Sequence, residues 1–147
     1  MADKNPFTVE HVAPGLILEC SADGELYIFN LDNGSQMTIN AWLHEVATIL
    51  EKRNPQKICL LLYDLRKIGT SALNMCLSEH FAKLYQTYPQ RKRYTAIVLP
   101  SSAITEEIQL AFIVQSLAVP FQYPVEWMAF KSRSEAMRWL LKHTSPV

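Results

Sequence analysis

The chain carries no net charge: 14 Lys and Arg offset 14 Asp and Glu among 147 residues. That balance excludes whole-molecule attraction to nucleic acid or to an anionic membrane, and it leaves self-association unopposed by charge. Cysteine is scarce, with Cys20, Cys59 and Cys76 as the three. An odd number, far apart and each in apolar company, excludes a disulfide framework and predicts reduced core thiols in a cytoplasmic protein. No pair of them has metal-ligand spacing, and no cofactor is expected. No apolar run approaches the ~20 residues that a transmembrane helix needs. The segment from Met1 to Pro6 lacks the basic and apolar blocks of a signal peptide. A G-x-S-x-G elbow and a nucleotide-binding loop are missing as well, as are repeats and low-complexity tracts.

What is present reads as a globular α/β chain. A hydrophobic fraction of 49% against 19% charged residues excludes disorder and fits one domain. Residues 1–14 read as a lead-in arm. Strands are predicted over 16–20 and 26–31, joined by a turn at Asp23-Gly24, since Asp-Gly readily takes positive φ. A helix follows over 38–53, with Ile39, Trp42, Leu43, Val46, Ile49 and Leu50 at helical spacing. Thr38 is its expected N-cap, with Met37 stapled on Trp42, and Asn54-Pro55 stops it.

From Lys57 onward strand and helix alternate. Strands are expected over 58–63, 94–99 and 125–130. Helices are expected from about 71 to 88, over 105–117 and over 136–143, the last opened by Ser132-Arg133-Ser134-Glu135 in capping-box form. The order ββαβαβαβα gives a five-strand mixed, mostly parallel sheet with four helices, antiparallel only at its first strand. Strands joined by helices must be parallel neighbours. The runs at 58–63 and 94–99 are apolar at nearly every position, which predicts burial on both faces.

In a parallel sheet the strand carboxyl ends and helix N-termini share one edge. That edge should carry Asp64, Arg66, Thr70, Ser71, Ser101, Ser102, Lys131 and Ser132. Helix dipoles and unpaired N–H groups there favour an anion or a phosphorylated hydroxyl, so Thr70, Ser71, Asp64, Ser102 and Ser132 are the phosphoacceptor or anion candidates. Plain helix capping by the same hydroxyls, worth ~1 kcal/mol each, is the simpler alternative. A hydrolase triad of Asp64, Ser71 and His80 fails on geometry. Nine residues of helix between Ser71 and His80 span roughly 13 Å, and a nucleophile needs its base at about 3 Å. Basic residues at Lys52, Arg53 and Lys57, and at Arg91, Lys92 and Arg93, fall at the opposite edge, where a positive patch could attract a phosphate backbone or acidic lipid. With no aromatic-basic interleaving or recognition helix, a solvated loop face is the simpler reading. The predicted helix at 105–117 is apolar beyond one stripe. Phe112, Ile113, Leu117 and Phe121 are therefore candidates for own-core burial, for a dimer interface, or for an apolar ligand.

Two local matches suggest a family. Asp64-Leu65 ends a strand, and Thr70-Ser71-Ala72-Leu73 looks like an Asp-Ser-Ser-Gly-Leu segment without its leading Asp. With the order of elements over residues 16–142, these resemble the SpoIIAA-like (STAS) superfamily. Trp127-Met128-Ala129-Phe130 followed by Ser134-Glu135-Ala136-Met137-Arg138-Trp139-Leu140 is similar to its uncharacterised SpoIIAA-like branch. The resemblance implies a regulatory fold whose signalling members are phosphorylated on the first hydroxyl of that segment, by position Thr70. Gly69 stands where those members carry an acid, and the turn after Asp64 is shorter. Lipid-transfer domains related to Sec14 share the fold class. The expected function is a non-catalytic regulatory or protein-interaction domain, switched at Thr70 or Ser71 and partnered by a second copy or another protein. A binding module for an anionic or apolar, lipid-like small molecule is the alternative, and an enzyme comes third.

Overall fold

The computed structural model of the chain describes residues 7–52, 57–68, 93–99 and 125–143. These form β1 (Phe7–Ala13), β2 (Leu16–Ser21), β3 (Leu26–Leu31), α1 (Gln36–Lys52), β4 (Cys59–Asp64), β5 (Arg93–Val98), β6 (Val125–Phe130) and α2 (Arg133–Leu141). The strands make one mixed sheet in the order β1-β2-β3-β4-β5-β6. The helices expected over 71–88 and 105–117 lie outside the described residues.

The five expected strands are present, and the stretch read as a lead-in arm adds a sixth. Residues 7–13 pair antiparallel with β2, with a register shift between His11 and Ala13. The connection is Pro14-Gly15. Proline presets its own φ, and Gly15 takes φ +86°, which glycine adopts without steric cost. A Cβ at Gly15 would meet the Asn33 side-chain nitrogen at 2.5 Å, so glycine is needed for space as well. Two pairs are therefore antiparallel, β1–β2 and β2–β3, rather than the first alone. From β3 to β6 every pair is parallel.

The hairpin at Asp23-Gly24 forms as its sequence predicts. Gly24 has φ +74°, its N–H donates to the Ser21 carbonyl at 3.0 Å, and Asp23 accepts from the Glu25 amide at 2.9 Å.

The α1 helix starts at Gln36, with Ser35 rather than Thr38 as its cap. The Thr38 amide donates to Ser35 Oγ at 3.3 Å, the contact of an N-cap with the third helical residue. Thr38 is buried instead, its hydroxyl 2.9 Å from both the Pro14 carbonyl and Asn33 Oδ1. It thereby fastens the helix to the β1–β2 turn. Met37 is 65% exposed, so it forms no staple on Trp42. Ser35 stands one helical turn ahead of Thr38, and the Pro14 carbonyl competes for the threonine hydroxyl.

Both faces of the sheet are covered. On one, Cys59, Leu61 and Tyr63 of β4 pack with Ile39, Trp42, Val46 and Leu50 of α1. On the other, Leu60 and Leu62 pack with Ala96, Val98 and α2 residues Ala136 and Leu140. Trp42 meets Tyr63 edge-on at 4.9 Å, and Phe29 meets the same tyrosine at 5.8 Å. Cys59 is buried and Cys20 half-buried; Cys76 lies outside the described residues. Arg93, read as part of a solvated basic face, is buried as the first residue of β5. No helix among the described residues is long and apolar enough to cross a membrane.

Truncating Trp42 removes the largest fully buried side chain of the α1 face. Trp42→Ala is expected to cost about 3–5 kcal/mol, the range for a buried aromatic, and Met37→Ala less than about 0.5 kcal/mol, as at an exposed site. Urea denaturation of the two variants reads both values; equal losses would restore the staple.

Candidate functional site

The parallel register places successive strand ends in a row. Asn30 of β3 lies beside Asp64 of β4, Asp64 beside Val98 of β5, and Val98 beside Phe130 of β6. The ladder continues one step further, with the Leu65 amide donating to Val98 at 2.9 Å and the Leu99 amide to Phe130 at 2.8 Å. Asn30 and Asp64 stand at this line, and the buried leucines Leu31, Leu65 and Leu99 follow it at the ends of β3, β4 and β5.

Asp64 turns back on its own loop. One oxygen accepts from the Arg66 amide at 3.3 Å and from Arg66 Nε at 2.9 Å; the other accepts from Arg66 Nη2 at 2.7 Å. The result is a bidentate pair closing a tight turn. The side chain of Asp64 is 12% exposed and that of Arg66 45%. Next along, Lys67 Nζ reaches Asp32 Oδ1 at 3.2 Å.

A second element enters from α2. Its N-cap is Ser132, in extended conformation, whose hydroxyl accepts from the Glu135 amide at 3.3 Å. Arg133, the first helical residue, extends to the antiparallel strands. Its Nη2 donates to Glu19 Oε2 at 2.8 Å and its Nη1 to Asn30 Oδ1 at 3.2 Å. Asn30 in turn donates to Glu19 Oε2 at 2.8 Å and to the Ile17 carbonyl at 3.3 Å. Between these groups opens a cavity of about 200 Å³ lined by Asn30, Leu31, Asp64, Arg66, Lys67 and Arg133.

Burial works against ionisation of Asp64, but the hydrogen bonds and charge of Arg66, with the charge of Arg133, outweigh it. They hold the carboxyl below its ordinary value of 3.8. The pairing with Asp64 raises the Arg66 guanidinium further above its ordinary range. A carboxylate whose pKa is depressed in this way is an ion-pair partner and a poor proton acceptor at neutral pH.

Of the candidates named from sequence, the structure places Asp64 and Ser132 at the carboxyl edge, with the Ser132 hydroxyl engaged in capping. Thr70, Ser71 and Ser102 lie outside the described residues. So do the interface or apolar-ligand candidates Phe112, Ile113, Leu117 and Phe121, and His80. Arg66 falls where the topology predicts. Arg133 was recognisable by the same logic, as the first helical residue after a parallel strand, but the capping box drew attention to its neighbours. Glu19 and Asn30 carry no local signal, because what brings them together is the β2–β3 register and a helix more than a hundred residues away.

No family model matches the chain, and no curated protein does. A match exists among solved structures. The crystal structure of an uncharacterized protein from the DUF3478 family, with a SpoIIAA-like fold, from Shewanella loihica PV-4 superposes with a TM-score of 0.50. The match covers 95% of this chain and 99% of that one at 14% identity. The chain is thus an α/β protein with a SpoIIAA-like fold, as the order of its elements and its Asp64-Leu65 strand end suggest.

Removing the Asp64 charge tests the pair. A carboxyl whose folded pKa lies below the unfolded one stabilises fully above the unfolded value and loses that contribution as pH falls through the folded one. Asp64→Asn is therefore expected to cost about 1 kcal/mol at pH 7, the half-exposed arginine limiting the gain. The gap between wild type and variant should close as pH drops below 3.8. Thermal denaturation from pH 7 to pH 2 reads this; a gap constant with pH would mean that the ion pair contributes nothing.

Proposed function

We propose that the chain is a non-catalytic regulatory or protein-interaction domain acting through its carboxyl edge. The observation that carries this reading is the Asp64 cleft, where β3, the β4 turn and the start of α2 bring Arg66, Lys67 and Arg133 around one carboxylate. Charged groups fixed by neighbours give orientation and partner discrimination more than raw affinity. The engagement of both Asp64 oxygens by Arg66 favours recognition over proton transfer.

The resemblance to SpoIIAA-like signalling proteins supplies Thr70 or Ser71 as the hydroxyl at which such a domain is switched. The polar lining favours an anionic ligand over an apolar one at this cleft. We place the protein in the cytoplasm and include self-association in the proposal, since a chain with no net charge is not held apart by repulsion. Light scattering of the purified chain is expected to report a dimer, and a strict monomer at high concentration removes that part.

The edge itself is tested by charge reversal. Tagged wild type, Arg66→Glu and Lys57→Glu are recovered from the native cell, and their co-purifying proteins are quantified. Lys57 is exposed just ahead of β4, at the opposite end of that strand. Loss of about tenfold of a partner with Arg66→Glu, and none with Lys57→Glu, is expected. Equal recovery in both would show that the carboxyl edge binds no partner.

A further inference from the structure

We infer that the Asp64 cleft receives a phosphate group carried on a small molecule or a side chain. This rests on the reading of the carboxyl edge as a binding surface and names the chemistry that the surface takes. Three cations and one carboxylate line the cleft, and Asp32 and Glu19 behind its wall balance Lys67 and Arg133, so what the cleft offers an anion is directed donors rather than net charge. A phosphate monoester presents three strong acceptor oxygens to such donors, whereas a carboxylate presents two.

The cations are also positioned. Asp64 grips Arg66 through Nε and Nη2, which leaves Nη1 with no acceptor among the described residues. Asp32 takes one of the three Lys67 protons. Glu19 and Asn30 each take one hydrogen from a different terminal nitrogen of Arg133, leaving the second hydrogen on each. The carboxylates thus orient the cations without exhausting their donors, and guanidinium groups match phosphate oxygens geometrically. Against its burial, the hydrogen bonds and charge of Arg66, with the charge of Arg133, keep Asp64 ionised.

Size narrows the ligand. About 200 Å³ equals roughly six or seven waters at ~30 Å³ each. It lies below the ~300–1,000 Å³ of drug-sized pockets. A phosphate with its ester carbon fits within that volume.

The probe is inorganic phosphate, titrated into the full chain at pH 7.5 and constant ionic strength, with amide NMR signals followed and potassium chloride as control. Saturable shifts centred on Arg66, Lys67 and Arg133 are expected, with Lys67→Gln weakening binding about tenfold, the loss of one charged hydrogen bond. Lys67 is 70% exposed, so this variant keeps its fold even where Arg133→Gln does not. Shifts that chloride reproduces, or saturable binding that Lys67→Gln leaves untouched, overturn the inference. Absence of phosphate binding beside partner recovery that depends on Arg66 removes this inference alone. Absence of both removes the reading beneath it.

Discussion

Burial of β4 on both faces is the constraint from which the rest of the structure follows. Its alternation sends Cys59, Leu61 and Tyr63 to the α1 side and Leu60 and Leu62 to the α2 side. A slip of one residue against β3 or β5 would exchange every one of these side chains between faces. The register is therefore fixed by packing alone. The same register sets Asp64 beside Asn30 and Val98. Asp64 interrupts the strand's apolar run, whose α1-side core resumes at Leu65 and Ile68, and so its side chain lands on the edge. The candidate site is in this sense a by-product of the core, placed by leucines that never touch it.

That dependence explains what the sequence made legible. A run such as Leu60-Leu61-Leu62 has one economical environment, the middle of a parallel sheet, so β4, β5 and the carboxyl edge were all predictable. The Asp23-Gly24 hairpin was predictable from turn chemistry. The first strand was not, because Thr8, Val9, Glu10 and His11 are all exposed and carry no burial pattern. Pro14-Gly15 also reads as easily as the end of an arm as the centre of a turn. The start of α1 was displaced because two hydroxyl residues, Ser35 and Thr38, compete for one cap. Only the Pro14 carbonyl, twenty-four residues before Thr38, decides between them. The Glu19–Asn30–Arg133 cluster belongs to the same category, since its contacts join segments whose separation in sequence carries no local trace.

The Arg133 cluster also shows how polar and apolar terms divide the work. Apolar packing of Ala136 and Leu140 fixes the depth of α2 on the sheet, but such contacts are non-directional. Arg133 is bonded to Glu19 of β2 and Asn30 of β3, at the far side of β4 from β6. That contact sets where the helix begins. An ion pair this exposed contributes ~1 kcal/mol at most, so its consequence is placement of the N-terminus rather than stability.

A set of three cations around a small cleft raises an electrostatic difficulty. Without counter-charges they would repel one another and destabilise the compact state. Each is instead held by a carboxylate of its own chain: Arg66 by Asp64, Lys67 by Asp32, Arg133 by Glu19. The unliganded edge is thus neutral as a whole, with guanidinium and ammonium donors lining the cleft. An incoming anion meets donors already oriented, so little side-chain entropy remains to be lost. It also competes with the resident carboxylates, which caps the affinity. Modest, reversible attraction with defined geometry follows from that competition, as the proposed partner surface requires.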